Sequence, residues 1–257
     1  EFGREIVAAL DDNNVIRDLS SHIKDLNPQT INEETLKKLK KIRLSELKEI
    51  NSGIRIGACI SNPLDFLAIG LNYKAHAEGT KSKLPTEPIV FNKSSGCIQG
   101  PNDPIIKPKS ANKMDYEVEV GMIIGRKGKY IKEENAQDYV FGYCIVNDIS
   151  ERSWQKERGG QWIKGKSIAG PIGPYLITKD EIKNINNINL TLDINGNRRQ
   201  TGNTERMIFN FNFLVSHLSQ FMTLYPGTII TTGTPAGTAM EMEKPEFLKA
   251  GDKLHLK

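Results

Sequence analysis

A chain of 257 residues with 38% hydrophobic and 26% charged side chains can bury a full core, and it fits one large domain or a large one with a small appendage. Its mean hydropathy is -0.43, and no apolar run approaches the roughly 18 residues that a membrane-spanning helix requires. Thirty-five basic residues against 31 acidic ones leave a net charge of only +4, too mild an excess to point to nucleic acid.

The N-terminus, "EFGREIVAALDDNN", carries acids where a secretory signal carries bases, so a cytoplasmic location is expected. "REIVAAL" and "NVIRDL" predict short strands. In "NEETLKKLKKIRL", Asn32 can cap a helix from about Glu33 to Arg43, with Glu33 and Glu34 in its first turn. Leu36, Leu39 and Leu44 can pack while the lysines stay solvated. Residues 1–60 therefore read as a small N-terminal domain and residues 61–257 as the main one. From Leu64 onward the chain runs through "LDFLAIG", "PIVF", "PIIKP", "YEVEVGMII", "YVFGYCIV", "PYLIT", "INLTLDIN" and "GTIITTG", short β-type stretches punctuated by Gly, Pro and Asn. "FNFLVSHLSQFMTL" places Phe213, Leu214, His217, Leu218, Phe221 and Met222 at helical spacing, with His217 on the apolar stripe, and "YPG" stops the helix. The last residues, "AGDKLHLK", alternate like a strand, and a further strand pairing beyond them is expected. The fold class is mainly β with α, an α+β arrangement. Cys59, Cys97 and Cys144 lie far apart without C-x-x-C spacing, which predicts reduced thiols rather than a disulfide framework or a zinc site.

In "DYEVEVGMII", Glu117 and Glu119 are two apart and share one face of a strand, roughly 7 Å from each other. Either that face meets water, where the repulsion is screened, or the two acids share a cation. Asp148 closes the apolar run "FGYCIV" and can either cap the following "SERSWQKE" helix or supply a third carboxylate. Three hard oxygen donors, with water completing the shell, describe a site for Mg²⁺ or Mn²⁺. Lys166 in "KGKS" is the candidate cation beside it.

These motifs, together with "GLNYKAH", "PIVFNKSSGCIQGPND", "GYCIVNDISER", "RGGQWIKGKS", "PIGPYLIT", "LSQFMTLYPGTIITTGTPAG" and "FLKAGD", resemble the fumarylacetoacetate hydrolase superfamily from about residue 60 to the end. The nearer likeness is to its bacterial branch of acylpyruvate hydrolases, 2-hydroxyhepta-2,4-diene-1,7-dioate isomerases and ureidoglycolate lyases. The resemblance implies a mixed β-sandwich roll, a homodimer, and a divalent ion held by Glu117, Glu119 and Asp148. It implies that His76 is the general acid or base, that Lys166 contacts substrate oxygens, and that Arg152, Gln155, Thr234 and Tyr73 line the pocket. An unperturbed imidazole titrates near pH 6.5 and can exchange protons at neutral pH.

The chain departs from these relatives at two places. Hydrolytic members usually carry a glutamate three residues after the histidine, where this chain has Gly79; Glu78 is one position early and points away on a helix. The segment between Lys166 and "PIGP" is about two residues shorter than usual. The implied activity is hydrolysis of the C3–C4 bond of a 2,4-dioxo acid, in which the ion and Lys166 stabilise a pyruvate enolate. Isomerisation and decarboxylation of related 2-oxo acids are the alternatives, and a protein that only binds a metal and a 2-oxo acid is a third. A glutamate introduced at position 79 is expected to speed hydrolysis.

Overall fold

The computed structural model describes residues 5–51, 53–159 and 161–257. The chain begins with an antiparallel pair, β1 (Ala8–Leu10) and β2 (Ile16–Asp18), followed by helix α1 (Glu33–Leu39). Asn32 caps α1 as expected, its Oδ1 accepting from the Thr35 N–H at 2.9 Å. The helix stops at Leu39, a turn earlier than the leucine spacing predicts, and Leu44 begins a separate 3₁₀ turn. Val7, Leu19 and Ile23 form a small apolar cluster with Leu26, Leu39 and Leu47, all within the N-terminal segment.

Strand β3 (Phe66–Gly70) leads into helix α2 (Lys74–Gly79), then β4 (Ile89–Asn92), β5 (Ile98–Gln99), β6 (Met114–Asp115) and β7 (Val118–Ile124). The chain returns along β8 (Val140–Asn147) and β9 (Ser150–Glu151), passes through α3 (Trp162–Lys166), and continues as β10 (Gly170–Pro171), β11 (Ile177–Thr178), β12 (Asn189–Ile194) and β13 (Asn197–Asn203). Helix α4 (Phe211–Phe221), β14 (Ile229–Thr231) and β15 (Leu254–Leu256) complete the fold.

Among the described residues, the largest sheet has six strands in the order β11-β8-β7-β14-β3-β4, antiparallel except for the β14–β3 pair. A second sheet runs β13-β12-β15. Sheets dominate a mixed α+β fold, as the sequence predicts. "PIIKP" forms no strand, and Ile106 is exposed. The hairpin strand β13 is polar throughout and escapes the hydrophobic pattern.

Period-two alternation sorts the central strands. Val118, Val120, Met122 and Ile124 point into the larger core, with Leu190 and Leu192 from β12 and Phe211, Leu214 and Leu218 from α4. The opposite face carries Ile123 from β7 and Cys144 and Val146 from β8, packed with Phe66, Ile31 and Ile60. The cross-strand register pairs Glu119 with Val146 and Gly121 with Cys144, so both strands turn these side chains to one side. Continued past the end of the ladder, that parity puts Glu117, Glu119 and Asp148 on the same face, just beyond its apolar patch. Cys59, Cys97 and Cys144 are all free thiols.

Candidate active site

The acid cluster is buried. Glu117, Glu119 and Asp148 are 3%, 1% and 1% exposed, and one carboxylate oxygen from each lies within 4.8 Å of the others. The water-facing reading of the E-x-E pair is thereby excluded, and so is the capping role for Asp148. Glu151 caps the next turn instead: its carboxylate accepts from the Trp154 N–H at 2.7 Å and from the Ser153 hydroxyl.

Three cations surround the acids. Lys166 Nζ contacts Glu117 Oε2 at 2.5 Å and Asp148 Oδ2 at 2.9 Å. Arg152 donates to Glu117 Oε1 at 2.6 Å, to Asp115 Oδ2 at 2.8 Å and to Gln155 Oε1 at 3.1 Å. Lys93, absent from the sequence-level site, is buried with its Nζ 2.6 Å from Asp148 Oδ1, and it also donates to the carbonyls of Lys166 and Ala169. This lysine ties the loop after α3 to a carboxylate of the cluster.

Glu119 stands apart, because among the described residues it has no ion pair. It accepts one N–H, from Gly233 at 3.0 Å. Burial and the charges of Asp148 and Glu117 push its carboxyl well above the ordinary range. Burial also acts against the charged form of Glu117, but Arg152 and Lys166 outweigh it and hold that carboxyl below the ordinary range. Gly233 approaches Glu119 with φ at +87°, and a Cβ there would come within 2.8 Å of Asn72 Cβ, so only glycine fits. The Tyr73 hydroxyl, beside Glu119, is buried without a hydrogen-bond partner among the described residues.

The residues fit a divalent ion. All three donors are hard oxygens, one of them has no ion pair among the described residues, and an unpaired hydroxyl borders it. Counting Asp115, four carboxylates face three cations. A dication would leave the cluster net positive and suited to an anionic ligand, which the three-acid count alone does not give.

His76 lies on α2 and is buried; its Nδ1 is 2.6 Å from Glu241 Oε1. Burial disfavours the charge on Glu241, but hydrogen bonds from His76, Thr238 and Gly237 keep its carboxyl below the ordinary range, so it is ionised at neutral pH and can only accept. The hydrogen therefore resides on Nδ1, and Nε2 is the ring nitrogen left to exchange a proton with a ligand. The glutamate missing at position 79 is replaced in space: a Cβ on Gly79 would lie 3.0 Å from Glu241 Cδ and closer still to Oε2. Glu78 is exposed and pairs with Lys74 instead. The sequence did carry a sign of Glu241, since Thr238-x-x-Glu241 is a capping-box pattern, and the Thr238 N–H and hydroxyl both donate to Glu241 Oε1. Thr234 lies near the cluster, but its hydroxyl hydrogen is spent on Val118 O at 2.9 Å while Gln200 donates to its oxygen. A substrate carboxylate could use that hydroxyl only by breaking the first bond. His217 is half-buried on the flank of α4, stacked on Phe213 and edge-on to Phe221, away from the core stripe.

The fumarylacetoacetate hydrolase C-terminal family profile matches residues 65–257. The chain belongs to the fumarylacetoacetate hydrolase family. It is 48% identical over 257 residues to the Burkholderia orbicola (strain MC0-3) protein named "Putative hydrolase Bcenmc03_4750", covering 99% of this chain and 91% of that one. A fumarylacetoacetate hydrolase from Exiguobacterium antarcticum superposes with a TM-score of 0.86 at 28% identity, covering 100% of this chain and 92% of the other. A 5-carboxymethyl-2-hydroxymuconate delta-isomerase from Mycobacterium smegmatis gives 0.74 at 26% identity, covering 98% and 88%. The protein is thus a fumarylacetoacetate hydrolase family enzyme with both hydrolases and isomerases among its relatives. Among the described residues, no helix is long and apolar enough to cross a membrane.

Proposed function

We propose that this enzyme hydrolyses the C3–C4 bond of a 2,4-dioxo acid of the acylpyruvate type, with Mg²⁺ or Mn²⁺ held by Glu117, Glu119 and Asp148. The observation that carries the reading is the His76–Glu241 pair, an imidazole held through Nδ1 by a carboxylate, with Nε2 left for proton exchange. An ion in the cluster would supply Lewis acidity toward the oxygens of a 2-oxo acid and offset charge developing at C2. The chain's residues do the rest. His76 takes a proton from water as the oxygen adds at C4, and Glu241 stabilises the imidazolium that results. The C3–C4 bond breaks with its electron pair passing toward the C2 oxygen, which Lys166 stabilises with its ammonium. His76 returns the proton to C3, leaving pyruvate and a carboxylic acid. Arg152 and Gln155 hold Glu117 in place, and the Tyr73 hydroxyl is free to donate to a ligand. The protein is taken to work as a cytoplasmic homodimer on a small-molecule 2-oxo acid.

The isomerase among the solved relatives supports a second reading, in which the same groups shift a proton within a 2-hydroxy-dienoic acid and no water adds. The test follows the absorbance of acetylpyruvate with Mg²⁺, Mn²⁺ or chelator present, beside fumarylpyruvate, oxaloacetate and a hydroxydienoate. Metal-dependent loss of acetylpyruvate absorbance with release of pyruvate is expected. Turnover of the dienoate alone would replace hydrolysis by isomerisation. Glu119→Gln is expected to abolish metal-dependent turnover while leaving the metal-free protein at least as stable as the parent, because burial and the neighbouring acids disfavour the charged form of the side chain it replaces.

A further inference from the structure

Asp115 is completely buried, has no place in the chemistry described above, and serves four donors. Its Oδ1 accepts from the N–H groups of Tyr116 at 2.9 Å and Ala239 at 2.8 Å; its Oδ2 accepts from Arg152 Nε at 2.8 Å and Met240 N at 3.3 Å. Ala239 and Met240 open the 3₁₀ turn that ends on Glu241, and Arg152 is the guanidinium that grips Glu117. One carboxylate therefore joins the two halves of the site, reaching a turn 124 residues further along the chain. Three residues of 3₁₀ helix leave their first N–H groups without internal partners, and Asp115 satisfies two of them, beside the contacts between Thr238 and Glu241 and the packing of Ala239 in the core.

We propose that Asp115 is a positioning residue for proton transfer, seating the Glu241 turn and Arg152 on a single carboxylate so that the His76–Glu241 pair stays in register with the acid cluster. The proposal rests on the reading of His76 as the group that moves the proton. A carboxylate serving only as packing would hold the fold together without governing the hydrogen bond between Glu241 and His76.

The test follows the Nδ1–H signal of the His76 imidazole by heteronuclear NMR in protein without added metal. Asp115→Asn is expected to lose the hydrogen-bonded Nδ1–H signal, as Glu241→Gln does, because the carboxylate that holds this hydrogen is displaced. Placed in a Glu241→Gln background, Asp115→Asn should add no further change to the signals of the ring, since a positioning residue acts through Glu241. A further change in that background, or a parental Nδ1–H signal in a variant that still melts cooperatively, overturns the proposal. Should Asp115→Asn fail to fold, the parent protein decides by amide hydrogen exchange. Protection of Ala239 and Met240 comparable to that of β7 amides supports the proposal, and exchange as fast as in an exposed turn refutes it. A lost Nδ1–H signal in an enzyme whose parent turns over none of the candidate acids leaves the positioning intact and sinks the hydrolase reading instead.

Discussion

The two oxygens of Glu241 receive four donors, from His76, the N–H and hydroxyl of Thr238, and the N–H of Gly237. A carboxylate so enclosed cannot rotate without losing several bonds, so the imidazole it holds keeps one tautomer and one orientation. Glu241→Gln is expected to lower kcat for the proposed hydrolysis by about 10²-fold or more with little change in KM, the usual scale of a positioned base. Gly79→Glu is expected to lower activity as well, where the sequence alone suggested a gain. The new Cβ would press on the Glu241 carboxylate and bring a second negative charge to it, and overpacking of this kind costs about 1–3 kcal/mol before any repulsion. Turnover of the variant at or above the parent rate would show that Glu241 yields its place without loss. The lowered carboxyl of Glu241 also has a stability consequence. Its contribution is present above the ordinary glutamate value of 4.5 and is lost as pH falls through the lower folded value.

Strand alternation made the acid cluster readable before any coordinates. Glu119 is on β7 and Glu117 just precedes it, Asp148 follows the strand paired to it, and a period of two places all three on a common face. Lys93 and Glu241 were not readable in this way, because their partners are 55 and 165 residues distant and no periodicity links them. Elements followed the same rule. Strands with buried, alternating apolar residues were visible, whereas polar β13 and the exposed "PIIKP" misled, since pattern reports burial rather than backbone geometry. The approach to α2 depends on a comparable long-range contact. Asn72 donates to Phe209 O and Thr232 O and accepts from the Phe209 N–H. Asn72→Ala leaves these buried groups unpaired and should cost about 1–3 kcal/mol in urea unfolding, with loss of His76 alignment visible as lower kcat. A variant as stable as the parent would mean that water replaces the amide.

For the molecule as a whole, the unbalanced Glu119 couples folding to both pH and metal. Its carboxyl is raised above 4.5, so between that value and the raised one the folded chain keeps a proton that the unfolded chain has lost. Stability of the metal-free protein from this group therefore falls as pH rises through that window. A divalent ion would take the proton's place, and its stabilising effect should grow with pH. The rise in Tm on adding Mn²⁺ is expected to be larger at pH 8 than at pH 6 and absent in Glu119→Gln. An equal rise at both pH values, or one retained in the variant, would remove Glu119 from the ion's shell.

The His76–Glu241 contact also bears on how such enzymes are sorted. A filter demanding an acid at a fixed offset from the histidine would discard this chain, although an oxygen reaches Nδ1 from a turn 165 residues further along. What heredity must preserve at that spot is a location in three dimensions, and the gene is at liberty to supply it from either end.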